Sequence, residues 1–125
     1  MVSETFQSSG AAGLAGASAA WTTGFAPTKY VTLMGINAAD GTILITYNVA
    51  AAGIPELAGQ NLMSLIPVVR DPVLGTVALS TAGASGAIDW GCTGILNTTA
   101  AAKIGALGVV TATGVPGRYS PAECR

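Results

Sequence analysis

Ala87-Ile88-Asp89-Trp90-Gly91-Cys92 and, further along, Ser120-Pro121-Ala122-Glu123-Cys124-Arg125 hold the chain's two cysteines, with 31 residues between them. Ile88, Trp90 and Cys92 recur at every second position, which puts all three on one face of an extended strand. If the cysteines pair, one cross-link ties the tail to that strand. Such a link contributes roughly 3 to 4 kcal/mol on a chain-entropy estimate, a large share of a small domain's stability. It persists only in an oxidising compartment, the periplasm or the cell exterior. The alternative is two buried free thiols in a cytosolic protein.

Working upstream, Tyr30 to Ile36 and Thr42 to Val49 are β-rich runs joined by Asn37-Ala38-Ala39-Asp40-Gly41, and Asp-Gly favours a tight hairpin. In the second run Ile43, Ile45, Tyr47 and Val49 alternate with polar residues, so one face meets a core and the other meets water. Ala50 to Gly59 reads as a surface loop. Leu62 to Val69 is a third strand whose Pro67 lacks an N–H, which assigns that part of it to an edge or an end. Arg70 to Gly86 is a connection with a short extended piece at Val77 to Leu79, and Ala87 to Thr93 is the fourth strand. Between Gly94 and Tyr119 a short helix is expected over Thr98 to Leu107 and an extended piece over Gly108 to Ala112.

Before the hairpin, Val2, Phe6, Leu14 and Trp21 recur at roughly helical spacing and predict a helix over residues 2–21. Gly10, Gly13 and Gly16 each cost it about 1 kcal/mol relative to alanine, so it needs a packing partner. One reading has its apolar side cover the chain's own sheet, and the other has its small residues approach helices of neighbouring subunits. Thr22 to Thr28 is a breaker-rich connection in which Phe25 is expected to be tucked beneath the loop. The whole predicts an α+β fold: an N-terminal helix packed on a four-stranded antiparallel sheet.

The 125 residues suffice for one domain, 1–125, with a single core. Charged residues make up 9% of them, against about 25% in ordinary soluble domains, and the net charge is -1. No basic footprint exists for a phosphate backbone, so strong nucleic-acid binding by this chain is not expected. Without histidine, and with two cysteines so far apart, no metal site is expected. The carboxylates are dispersed, no phosphate-cradling loop occurs, and a serine nucleophile would have only Lys29 or Lys103 as its base. No catalytic residue and no cofactor are therefore assigned. Asn97-Thr98-Thr99 fits a glycosylation sequon that occurs often by chance. Arg70, Asp71, Arg118 and Arg125 are either solvated surface charge or contacts between copies.

Ile88-Asp89-Trp90-Gly91-Cys92 followed by the terminal Tyr119-Ser120-Pro121-Ala122-Glu123-Cys124-Arg125 resembles the C-terminal region of bacterial type IVa pilins. Lys29-Tyr30-Val31 and Gly41 to Tyr47 are similar to the first strands of the pilin head, and the likeness spans about Lys29 to Arg125. The resemblance implies a Cys92–Cys124 disulfide closing residues 92–125 against the sheet, after a loop and hairpin region at 22–59 and two strands at 60–93. It implies a structural subunit of an extracellular filament, supporting adhesion, twitching motility and DNA uptake, whose partners are identical subunits in a helical array. Family precursors carry a basic leader and an apolar half-helix that hold them in the inner membrane before assembly. This sequence shows neither, so Met1 is expected to head a truncated chain. Val2, Phe6, Leu14 and Arg118 are the residues expected at contacts between subunits. A secretion pseudopilin or minor pilin is the runner-up, disfavoured because pseudopilins use calcium where a cystine would stand here. A periplasmic binding domain comes last.

Overall fold

The computed structural model describes all residues, Met1–Arg125. Helix α1 (Val2–Gly24) is followed by β1 (Val31–Ile36), β2 (Ile43–Tyr47), β3 (Leu62–Asp71), β4 (Gly75–Ala78), β5 (Ala87–Thr93) and a short helix α2 (Thr98–Ile104). Single 3-10 turns lie at Pro55–Leu57, Gly105–Leu107, Gly117–Tyr119 and Ala122–Cys124. All strand pairs are antiparallel, and β3 stands at the centre of the sheet. One edge of β3 carries β5 along Ser64 to Arg70. Its other edge carries β2 against Leu62 to Leu65 and β4 against Val68 to Asp71. The sheet thus has one short strand more than the four expected, because the Val77 region forms a hairpin with β3.

Pro67 lies mid-strand in β3, not at its end. The register supplies the reason. On the edge shared by β2 and β4, pairing stops at Leu65 and resumes at Val68. Ile66 and Pro67 face the gap between two partners, where a residue without an N–H breaks no ladder.

Alternation along β3 builds cores on both faces, which is why Leu62 to Val69 reads as a nearly continuous apolar run. Met63, Leu65 and Val69 point to one side and Ile66 and Val68 to the other. On the first side α1 covers one half of the sheet, with Leu14, Phe6 and Val2 against Ile36, Val69 and Leu79. The other half of that face belongs to Leu57, Met63, Cys92, Val115 and Cys124. On the opposite side α2 covers Ile66 and Val68 with Ile104, and Leu107 packs alongside. Ser18, buried in α1, donates its hydroxyl to the Ile36 carbonyl and fixes the helix to the β1 end. Phe25 is half-buried in the connection that follows.

α1 differs from the expected rod. Gly10 has φ 61 and ψ -161, which breaks the helix into residues 2–9 and 11–24. On a straight helix Val2 and Trp21 would stand about 28 Å apart, at about 1.5 Å per residue. Here both line one apolar depression of about 260 Å³, beside Met34, Ile43 and Trp90. The first piece is therefore folded back onto the sheet beside the second. A side chain at Gly10 would be strained in this backbone region, so the corner is available to glycine almost alone.

Candidate functional site: the closed tail and its surroundings

Cys92 sits on the face of β5 that the Ile88, Trp90, Cys92 alternation dictates, and its sulfur is bonded to that of Cys124 in the final turn. Both are buried, packed with Leu57, Met63 and Val115. The bond is one of several ties. The Gly94 N–H donates to the Cys124 carbonyl at 3.3 Å, and the Thr99 N–H donates to the Arg125 carbonyl at 2.8 Å. The Thr99 hydroxyl donates to the Ala122 carbonyl at 3.0 Å, and Arg125 Nε to the Ser120 carbonyl at 2.9 Å. The tail therefore leans on the first turn of α2 as well as on β5.

Between α2 and the tail, the backbone extends the sheet. Leu62 N–H donates to the Thr113 carbonyl and Val115 N–H to the Leu62 carbonyl, forming a parallel bridge of Leu62 with Gly114 beyond the end of β5. Gly94 and Gly114 make this possible. A Cβ on Gly94 would stand 2.5 Å from the Val115 carbonyl oxygen, and one on Gly114 would collide with the Gly94 backbone. Residues 108–112 are irregular, not extended. Ser64, Thr93 and Thr111 join their hydroxyls there, Thr111 Oγ1 lying 2.9 Å from Ser64 Oγ and 3.2 Å from Thr93 Oγ1. Burial pushes the Tyr47 phenol above its ordinary pKa, and its hydroxyl lies 3.8 Å from Met63 Sδ.

The few charges are mostly engaged within the chain. Asp89 Oδ2 accepts from Arg70 Nη2 at 2.9 Å while Lys103 Nζ lies 3.0 Å from Oδ1, so β3, β5 and α2 meet at one carboxylate. Arg70 also donates to the Thr76 hydroxyl and to the Lys103 carbonyl. The Arg70 guanidinium first, then the Lys103 ammonium and the Trp90 N–H, hold the Asp89 pKa down at about 2. Asp71 accepts the N–H groups of Val73, Leu74 and Ser85, each at 2.8 Å, and these amides lower its pKa. Arg118 lies exposed, its guanidinium 5.0 Å from the Tyr119 ring centre.

Of the four residues expected at contacts between subunits, only Arg118 is on the surface. Val2, Phe6 and Leu14 are 3%, 8% and 0% exposed and belong to the chain's own core. The reading in which α1 covers its own sheet describes them, because the fold-back at Gly10 turns Val2 and Phe6 inward beside Leu14. Sequence reasoning missed the Arg70, Asp89 and Lys103 cluster, whose members are far apart along the chain and carry no local pattern. It also missed Asp71's role, although Asp-Pro followed by Gly is a turn signal that could have pointed to it.

A groove of about 450 Å³ lies between the β1–β2 turn and residues 106–111. Its size is within the range of ligand sites. Its polar groups, however, already have partners: Asn37 Oδ1 accepts from Ala39 N–H, Asp40 Oδ1 from Thr42 N–H, and Ser64 pairs with Thr111. Asn97, the sequon residue, donates its side-chain amide to the Gly108 carbonyl and so serves the loop after α2. No helix is long and apolar enough to cross a membrane.

No protein-family model and no curated protein matches this chain. Among solved structures, a type IV pilin of Pseudomonas aeruginosa is 31% identical over 99% of this chain and 88% of that one, with a TM-score of 0.79. The chain belongs to the type IV pilin family. The match takes in nearly the whole length of this chain. It makes this chain a pilin-like structural subunit.

Proposed function

We propose that this pilin is a subunit of an extracellular type IV filament that serves surface adhesion and twitching motility, with DNA uptake as a further use of the same fibre. The observation that carries the reading is the match to a pilin over 99% of the chain. Identical subunits repeat head to tail, which requires heterologous contacts that do not close on themselves. A surface with 9% charged residues suits side-by-side packing, because few charges must lose water at each contact. In this reading the precursor is held at the inner membrane by an apolar segment preceding these residues, and Arg118 lies at a contact between subunits.

The test uses the bacterium that makes this protein. Antibody raised against the chain is expected to decorate surface filaments along their length, and deleting its gene is expected to abolish both filaments and surface spreading. Restoring the gene with Arg118→Glu is expected to lower filament yield and salt resistance. Normal filaments and spreading after deletion would overturn the proposal. Unchanged yield with the Arg118 variant would remove that residue from the interface.

A further inference from the structure

Pro72-Val73-Leu74 joins β3 to β4 and holds two large aliphatic side chains out in water, Val73 89% and Leu74 49% exposed. One such side chain alone needs no explanation. These two are neighbours on a locked turn. Asp71 accepts the N–H groups of Val73, Leu74 and Ser85, each at 2.8 Å. Pro72 fixes its own φ, and Gly75 closes the turn at φ 79. The pair is a rigid apolar knob, and a knob ordered beforehand loses little conformational freedom when it docks.

A complementary hollow lies elsewhere on the same molecule. The groove of about 450 Å³ between the β1–β2 turn and residues 106–111 is walled by Ile66, Ala78, Leu107, Val109 and Val110, the last two 60% and 52% exposed. Its Asn37, Asp40, Ser64 and Thr111 already have hydrogen-bond partners within the chain, so the groove suits an apolar occupant. Val73 stands roughly 20 Å along β3 from Ile66, at about 3.3 Å per residue, so the knob does not reach its own groove. We propose that the Val73 and Leu74 knob of one copy seats in this groove of the next copy. The inference rests on the filament reading and gives it a specific contact.

Area and symmetry favour a second copy over a separate partner. Two aliphatic side chains and the walls they cover bury on the order of 400 Å². Stable complexes need about 1,200 Å² or more, so this contact does not hold two free proteins together. In a filament each subunit is also held by its other contacts, and a small contact then forms as if within one molecule. Knob and groove are different patches of one surface, so their union is heterologous and repeats without closing, as a filament requires.

The experiment places Val73→Cys and Val110→Cys together in the full-length gene of the bacterium that makes this protein. Sheared filaments, mildly oxidised and run without reductant, are expected to give a ladder of dimers, trimers and longer chains, because each subunit donates one knob and receives one. Either cysteine alone is expected to leave monomers. Filaments that assemble and give no ladder overturn the proposal and leave the filament reading intact. Dimers from Val73→Cys alone also overturn it, because they put knob against knob. A native gene that yields no filaments overturns the filament reading and this contact with it. Should the double variant not assemble, the purified native chain at millimolar concentration is read by NMR. Methyl signals of Val73, Leu74, Val109 and Val110 are expected to shift together as concentration rises, and Val73→Asp is expected to abolish the shifts at Val109 and Val110. Groove signals that stay fixed, or that move equally in the Val73→Asp chain, overturn the contact.

Discussion

Replacing both Cys92 and Cys124 by alanine tests the tail closure most directly. The bond joins positions separated by 32 residues, and on the chain-entropy estimate closing a loop of that size is worth about 4 kcal/mol. The two buried sulfurs add roughly 1 kcal/mol each in lost packing, since Leu57, Met63 and Val115 close only partly over the smaller side chains. The expected loss is therefore about 4 to 6 kcal/mol, out of a total in the range of about 5 to 15. With an unfolding entropy of roughly 2.1 cal/mol/K per residue, that loss lowers Tm by about 15 to 23 °C. Urea titration of the double variant, beside the native chain with and without reductant, reads the quantity. The m value is expected to rise as well, because an unlinked denatured chain exposes more surface. Amide exchange should accelerate first at Thr99 and Val115, whose hydrogen bonds hold the tail to α2 and to β3. A destabilisation below about 1 kcal/mol would show that the remaining tail contacts suffice without the covalent tie.

Two further outcomes follow from the core and the charge cluster. Leu14→Ala, at a side chain with 0% exposure between α1 and the sheet, is expected to cost about 3 to 4 kcal/mol in denaturant titration, whereas Leu33→Ala, 49% exposed on β1, should stay within about 0.5. Asp89 has a folded pKa of about 2, below its unfolded value near 3.8, so the stability it adds is complete above the unfolded value and is lost as pH falls toward 2. Asp89→Asn should cost at most about 1 kcal/mol near neutrality, given the half-open pair geometry, and should flatten part of the acid-side decline in Tm. Asp71, also lowered, retains the rest of that slope.

The elements written as local patterns were legible in the sequence. Alternation identified β2 and β5, Asp-Gly located the hairpin, and the Trp90-Gly91-Cys92 strand with its terminal partner pointed to the closed tail. What was not legible depends on neighbours distant in sequence. Pro67 argues for an edge by its own chemistry, yet a gap between two partner strands supplies the same freedom inside the central strand. The period of Val2, Phe6 and Leu14 is helical on both sides of Gly10, so spacing alone does not reveal a corner at a residue with φ 61. Arg70, Asp89 and Lys103 meet because β3, β5 and α2 do, and no window of sequence contains all three.

The internal use of charge bears on how copies of this pilin meet. The chain has five basic and six acidic residues. Arg70, Lys103 and Asp89 satisfy one another, Asp71 is occupied by three backbone amides, and Arg125 is engaged with the tail's own carbonyl. Among the charges considered for contacts between subunits, Arg118 alone remains free on the surface. A lone cation of that kind sets orientation and salt dependence more than affinity. In the proposed filament, uncharged surface such as Val73 and Leu74, 89% and 49% exposed on a turn that Asp71 braces, is available to supply contact area between copies. Assembly built on such surface should weaken only slightly as salt rises, because the hydrophobic contribution is not screened as ion pairs are.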